Sequence, residues 1–379
     1  VKRILMLTYE FPPIRGGIGR YAARLARAAV EIGHDVTVVA PQPAEDLAAQ
    51  DRHTYPFGVI RYPGRVYTVI HLLSLLRRTR RWSLTTGHDL IHAVDWPHIM
   101  ALAFINRFRR IPFAATVYGT EILSVPHSRQ ARLLAVRNLL EKPDRVFAIS
   151  SFVRSLLCER YPGIAAESVA VTPLGVSEDM FEPPACQDDI RKIYSIPEDH
   201  RILLTVARLD ERKGHRTIFG ALARLPEGLK RGITYLVVGT GENHRYETEL
   251  NQLAAGCGVH VVFTGSVSDE RLRSLYAQSA VFCMPGERHP TRIEGFGLAY
   301  LEAAAHGLPS VASRIGGVPE VVLHDETGLL VEPGDQPAVA DALARLFTND
   351  QLCRTLGRKA REYAGTFTWT RCAEKTYGR

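Results

Sequence analysis

Apolar residues recur along the chain in two alternating patterns. Short runs such as "RILMLTYE" (3–10), "DVTVVAP" (35–41), "DLIHAV" (89–94), "FAATVYG" (113–119) and "RVFAIS" (145–150) end in turn residues, as buried strands do. Between them lie segments with helical spacing. The first runs to Gly33 and places Tyr21, Leu25, Ala28, Ala29 and Ile32 on one face. The pattern restarts near Arg201 with "RILLTVA", "TYLVVGT", "HVVFTG", "VFCMP" and "PSVAS". These alternate with the helical "RTIFGALARL", "NHRYETELNQLAAG" and "DERLRSLYAQ". Strands alternating with helices predict an α/β fold of parallel sheets covered on both faces.

Two such halves meet in the Pro- and acid-rich "SEDMFEPPACQDD" (177–189). The expected organisation is a first Rossmann-like domain over 1–183 and a second over 184–355. A C-terminal helical segment, 356–379, is expected to cross back onto the first. A chain of 379 residues fits two domains, and a cleft between them is the expected ligand site. The halves share an architecture but not a repeated sequence.

Composition changes the picture little. The chain is 46% apolar and 23% charged, ordinary for a globular protein, and its net charge of +7 favours anionic partners. Cysteines 158, 186, 257, 283, 353 and 372 form no C-x-x-C pair or zinc-type spacing, which points to reduced thiols and a cytoplasmic protein. No signal peptide or membrane-spanning stretch is read in the sequence.

Between Asp51 and Asp89 stand seven arginines and no acid. Within "RVYTVIHLLSLLRRTRRW" (65–82), an apolar stripe lies beside Arg77, Arg78, Arg80 and Arg81. Peripheral contact with anionic membrane is one reading, at the inner face of the membrane; a helix packed on its own domain with solvated arginines is the other. No base-reading module or stacking platform points to nucleic acid.

The chemistry-bearing motifs follow strands. "GGIGRYA" contains G-x-G-x-x-A at Gly17, Gly19 and Ala22, which keeps an NAD(P)-dependent Rossmann oxidoreductase as the alternative. Against it, Tyr9 to Arg15 separate strand and glycines, and the second strand ends in Ala40, Pro41 and Gln42, without a ribose-binding acid. Gly16 and Gly17 either let a backbone approach phosphate at a helix start or merely make a tight loop. In "VARLDERKG" (206–214), Arg208 and Lys213 can converge on one anion, unless both are solvated surface. In "RIEGFGLAYLE" (292–302), Gly295 and Gly297 leave Glu294 in a loop, and a helix begins near Leu298. Glu302 then shares a face with Leu298, Leu301 and Ala305. It is either a carboxylate satisfied by backbone or one that takes ligand hydroxyls. Gly316 and Gly317 are turn glycines that can also line the site.

Taken together, "FPPIRGGIGRYAARLARAAVEIGHDVTVVAP", "VARLDERKG" and "EGFGLAYLEAAAHGLPSVASRIGGVPEVVLHDETGLLVEPGD" resemble the GT4-type retaining glycosyltransferases of GT-B fold over essentially the whole chain. The E-x7-E spacing of Glu294 and Glu302, in order with the other motifs, is the specific part. The resemblance implies two Rossmann-like domains and a nucleotide sugar, UDP- or GDP-linked, as co-substrate, with no metal needed for the chemistry and no D-x-D motif to hold one. It implies Glu302 on the ribose hydroxyls, Glu294 near the donor sugar, and Arg208 and Lys213 on the diphosphate. Phe296, Gly297 and Leu298 would meet phosphate through their backbone, with Gly16 and Gly17 closing on it. Gly239 and Val267, ending "TGSV", would lie near the base. The acceptor would be a hydroxyl of a glycan, a lipid-linked glycan or a small molecule.

Two departures matter. Where many relatives carry a histidine near the donor sugar, "ATVYGTE" has Tyr118. Tyrosine can bond a sugar hydroxyl but, with a pKa of about 10, is a poor base at neutral pH. This keeps open a GT-B protein that binds nucleotide sugar without transfer. Glu121 and His92 are nearby in sequence as sugar or acceptor contacts, or as structural residues. The loop "PGERHPTRIEG" is basic through Arg288, His289 and Arg292 where relatives commonly have Pro-Ser.

Overall fold

The computed structural model describes residues 1–14, 16–43, 47–63, 69–85, 87–124, 138–184 and 188–378, apart from the side chains of 69–72 and 85. Residues 65–68 of the basic segment and Cys186 lie outside the described residues. The chain divides into two compact units, Val1–Gly175 with Thr368–Arg379, and Val176–Phe367.

In the first unit, β1 (Arg3–Leu7), β2 (Asp35–Gln42), β3 (Gly58–Pro63), β4 (Leu90–Ala93), β5 (Ala114–Val117), β6 (Arg145–Ala148) and β7 (Val169–Val171) form one sheet. Its order is β3-β2-β1-β4-β5-β6-β7, with parallel pairing throughout. Ile4, Leu5, Met6 and Leu7 are wholly buried because helices cover both faces of this central strand. The helix Gly17–Glu31 turns Tyr21, Leu25, Ala28 and Ala29 inward, as its spacing predicts.

In the second unit, β8 (Arg201–Val206), β9 (Ile233–Val238), β10 (His260–Gly265), β11 (Val281–Met284), β12 (Ser310–Ser313) and β13 (Gly328–Val331) pair in parallel in the order β10-β9-β8-β11-β12-β13. Leu203, Tyr235, Val237, Cys283 and Val311 from the strands pack with Phe219, Leu222, Leu343 and Leu346 from helices in one core.

The expected boundaries need correction. The units part after Gly175 rather than 183, and only Thr368–Arg379 of the expected 356–379 belongs to the first unit. The helix Asp350–Ala364 instead buries Leu356, Gly357 and Ala360 within the second unit. There, a Cβ on Gly357 would sit 2.0 Å from the carbonyl oxygen of Gly307. In sequence both C-terminal helices are similarly amphipathic, and the close glycine contact that assigns the earlier one is a tertiary event.

The last helix, Trp369–Tyr377, packs on Gly17–Glu31, with Trp369 against Tyr21 at 6.0 Å between ring centroids. A hydrogen-bonded chain supports it. The Tyr377 hydroxyl meets His92 Nδ1 at 2.7 Å, His92 Nε2 meets Thr116 Oγ1 at 2.8 Å, and that hydroxyl meets Tyr21 Oη at 3.0 Å. This accounts for His92 structurally. Burial lowers its pKa to about 3, and that of buried His215 in the second unit to about 4. In the unfolded chain both titrate near 6.5. Below that pH the unfolded state takes up protons that the folded state refuses, so stability falls with pH from about 6.5 toward 4. The thermal midpoint should therefore drop across this window, and His92→Gln should flatten part of the slope.

Candidate active site

The second unit's sheet reverses direction of winding between β8 and β11. A crevice outside the carboxyl ends of strands forms at such a switch point. Here it joins the loop after β8 to the loop after β11. The loop after β8 makes a tight turn, Glu211–Lys213, capped by Asp210, whose carboxylate accepts from the Arg212 amide. The Arg212 carbonyl accepts from the Glu287 amide at 2.8 Å, and Arg212 Nη1 donates to the Ile293 carbonyl at 3.1 Å. Arg292 Nη1 bonds Asp210 Oδ2 at 2.6 Å, and the Thr217 hydroxyl donates to Glu287 at 2.7 Å. These contacts place Lys213 Nζ 2.5 Å from Glu294 Oε2, with both side chains mostly buried (15% and 22% exposed).

Burial alone raises the Glu294 pKa. Lys213 outweighs it, with Arg212 and Arg208 behind, and holds the carboxyl below its usual range. The loop after β12 fixes the same residue from the backbone side. The Gly317 amide donates to the Glu294 carbonyl at 3.0 Å. Gly316, at φ +58°, passes so close that a Cβ would lie 2.0 Å from that oxygen.

The Arg208 side chain is exposed and its charge reaches Asp210 and Glu294, so it is available to an anion beside them. Phe296 is buried against Phe367, at 5.9 Å between ring centroids. Gly297 opens the helix Leu298–Ala305, and no side chain among the described residues caps that start, whose N–H groups and dipole favour an anion. The two loop cations, Arg208 and Lys213, and this helix start can stabilise charge on a leaving phosphate.

Glu302 departs from expectation. Leu301, Ala303, Ala304 and Ala305 are buried, whereas Leu298 and Glu302 are half-buried, so the stripe runs along the border of the buried face. Glu302 Oε2 accepts from the Tyr276 hydroxyl at 3.2 Å. Gly239 follows β9, and its amide donates to the Gly265 carbonyl at 2.9 Å, which brings it beside the turn that leads to half-buried Val267. Both lie across β8 from the Lys213–Glu294 pair. Of the basic loop, Arg292 is tied to Asp210 and His289, while Arg288 is exposed.

In the first unit the switch point lies between β1 and β4. The Asp95 carboxylate, wholly buried, takes the Tyr9 amide at 2.6 Å and His98 Nδ1 at 2.8 Å. Gly16 and Gly17 do open a helix. The carboxylate of Glu10, however, accepts from the Gly19 amide in its first turn at 2.9 Å, and the absence of a Gly16 side chain makes room for it. The anion at this helix start is the chain's own. After β5, Tyr118 stands edge-on to Tyr21 at 5.4 Å, with its hydroxyl buried and without a hydrogen-bond partner among the described residues. Burial, then the charges of Tyr21, Asp95, Glu121 and Glu10, raise its pKa well above the usual value. Glu121 accepts from the Tyr118 and Gly119 amides, which makes it a loop anchor.

The structure brings Lys213 and Glu294, both expected at the site, into contact, and adds Asp210, Arg212 and Tyr276, which were not expected there. Asp210 and Arg212 lay inside a quoted motif, whereas Tyr276 gave no local signal. Among the described residues no group of three or more His, Cys, Asp or Glu is placed to hold a metal ion.

Comparison with known proteins gives the family and the fold. Residues 187–363 match the family model "Glycosyl transferases group 1", and residues 15–179 match "Glycosyltransferase Family 4". A GDP-mannose-dependent alpha-(1-6)-phosphatidylinositol monomannoside mannosyltransferase of Mycobacterium tuberculosis is 32% identical over 99% of this chain and 97% of its own length. Among solved structures, sucrose-phosphate synthase from Thermosynechococcus elongatus superposes with TM-score 0.81 at 24% identity, covering 99% of this chain and 97% of that one. Anabaena Alr3699/HepE in complex with UDP and glucose gives 0.79 at 22%, covering 99% and 98%. Two parallel α/β units, a cation–carboxylate pair at the switch point of the second, and these matches place the chain in glycosyltransferase family 4, with the GT-B fold.

Proposed function

We propose that this chain is a retaining, hexosyltransferase-type enzyme that moves a sugar from a UDP- or GDP-linked donor to a hydroxyl acceptor, with no metal ion in the chemistry. The observation that carries the reading is the Lys213–Glu294 pair beside the exposed Arg208 and the uncapped helix start at Gly297. In transfer, the bond from the sugar's anomeric carbon to the diphosphate oxygen breaks and a bond to the acceptor oxygen forms. The acceptor proton leaves with the departing phosphate. Negative charge grows on the diphosphate, where Arg208, Lys213 and the amides of Phe296, Gly297 and Leu298 stabilise it. Glu294 stabilises the positive charge of the sugar ring. Glu302 holds the ribose hydroxyls, and Gly239 and Val267 border the base. Tyr118, kept protonated by burial, acts as a hydrogen-bond donor to a sugar hydroxyl and not as a base.

Both donor bases are represented among the similar proteins, by the GDP-mannose-dependent relative and by the UDP-bound neighbour. Retention is tested by proton NMR of the glycosylated product. An anomeric centre of the donor's configuration supports the reading, and an inverted one overturns it. Turnover should be unchanged by a chelator.

In this reading the acceptor, a glycan, a lipid-linked glycan or a small molecule, is met at the inner face of an anionic membrane. Support comes from the helix Val69–Thr85. It packs Leu75 and Leu76 on Ala101 and Phe104 and leaves Leu73 58% exposed, and Arg77, Arg80 and Arg81 are exposed on the same helix. Phe108, 79% exposed, adjoins Phe104 at 5.6 Å and is flanked by exposed Arg107 and Arg109. No helix of the described residues is long and apolar enough to cross a membrane. The protein should co-sediment with phosphatidylserine-containing vesicles at low salt and be released by salt. Failure to sediment with them at low salt contradicts the membrane reading.

A further inference from the structure

We infer that Tyr276 is a positioning residue for nucleotide binding: its hydroxyl fixes the Glu302 carboxylate in the orientation that grips the ribose. This rests on the reading of Glu302 as the ribose clamp. A glutamate side chain has three freely rotating bonds, and a half-exposed one on a helix samples several rotamers. To take two vicinal hydroxyls at once, the carboxylate must be held in one plane before the ligand arrives, otherwise ordering it subtracts from binding.

Tyr276 has the attributes of such a holder. It projects from the helix Asp269–Gln278, is wholly buried, and donates its phenolic hydrogen to Glu302 Oε2 at 3.2 Å. Its ring is itself immobilised. It stacks on His306 at 5.2 Å and 23° and is tilted on Phe282 of β11 at 6.2 Å. His306 in turn bonds the backbone carbonyl of Glu302 through Nδ1 at 3.0 Å. The residue that receives the hydroxyl and the residue that fixes the ring therefore lie one helical turn apart, and the phenol oxygen has a defined place relative to the carboxylate. A neutral donor suits the task. A lysine or arginine there would neutralise the carboxylate and weaken its hold on ribose, whereas a phenol orients it and leaves the charge. A carboxylate accepts about four hydrogen bonds, so a phenol on one oxygen is compatible with two ribose hydroxyls.

The test measures calorimetric affinities for UDP and GDP and for their 2′,3′-dideoxy counterparts. The base that binds the wild-type protein more tightly is used. The wild type should prefer the ribose form, and Glu302→Gln should lose most of that preference. Tyr276→Phe, which keeps the stacked ring, should reduce the preference about tenfold while leaving dideoxynucleotide affinity unchanged. His306→Ala, which frees the phenol without removing it, should reduce it by a smaller factor. It also covers the case in which the phenylalanine variant does not fold. An unaltered preference in both variants, or equal weakening of both nucleotides, overturns the positioning role while Glu302→Gln still reports the clamp. A preference that survives Glu302→Gln overturns the clamp and the inference with it.

Discussion

Lys213→Ala is expected to lower donor turnover, as kcat/KM, by a hundredfold or more, about the loss seen when one donor to a developing anion is removed. Two effects add. The diphosphate loses a cation, and Glu294, which is 22% exposed, loses the partner that offsets its burial. With Lys213 gone, desolvation dominates at Glu294 and its pKa rises, so the acid limb of the pH–rate profile should move to higher pH. Stability should fall as well, because the removed charge leaves a mostly buried carboxylate. Lys213→Arg keeps the charge and should recover part of both losses. Arg208→Ala is the control for the structural component. That side chain is exposed. It should weaken donor binding with no change in thermal midpoint. Initial rates and a melting curve on the three variants check this, and unchanged donor affinity in both alanine variants would remove the phosphate assignment.

Glu294→Gln is the second large effect. The amide preserves the shape of the side chain and the backbone contacts from Gly316 and Gly317, and removes the charge. If Glu294 stabilises the sugar's positive charge, kcat should fall by about two to three orders of magnitude. The KM for donor should stay level or fall, because Lys213 is then committed to phosphate alone. The melting point should drop by a few degrees, since Lys213 is left mostly buried without its ion pair. A variant with full kcat would show that the pair is an anchor for the two loops and nothing more. A variant that binds nucleotide sugar but neither transfers nor hydrolyses it carries the catalytic reading, provided the wild type does both.

Most of the two sheets is legible in the sequence because parallel, doubly covered strands read as continuous apolar runs. The exceptions are explained by position. β3 and β13 are edge strands, and β7 is an edge strand of three residues. β3 alternates exposed and half-buried residues, and "GLLV" of β13 is too short to stand out from the turns around it. Glu294 and Lys213 are 81 residues apart, and no local pattern joins them. The sheet order does so, by making β11 the neighbour of β8. Glu302 could be placed on a helix from its spacing, but its half-burial depends on how that helix packs, and Tyr276 on a helix from elsewhere in the chain. At the first glycine loop, sequence chemistry favoured an external phosphate or a bare turn. The folded chain supplies its own carboxylate, Glu10, because the strand end and the helix start meet there.

The central claim, that this chain turns over a nucleotide-diphosphate sugar, is tested most directly by release of nucleoside diphosphate from a panel of UDP-, GDP-, ADP- and TDP-sugars, with NAD(P)H binding measured in parallel. Saturable release from a UDP- or GDP-sugar, lowered a hundredfold or more in Lys213→Ala, is the expected result. No release from any sugar nucleotide, together with binding of NAD(P)H, would contradict it.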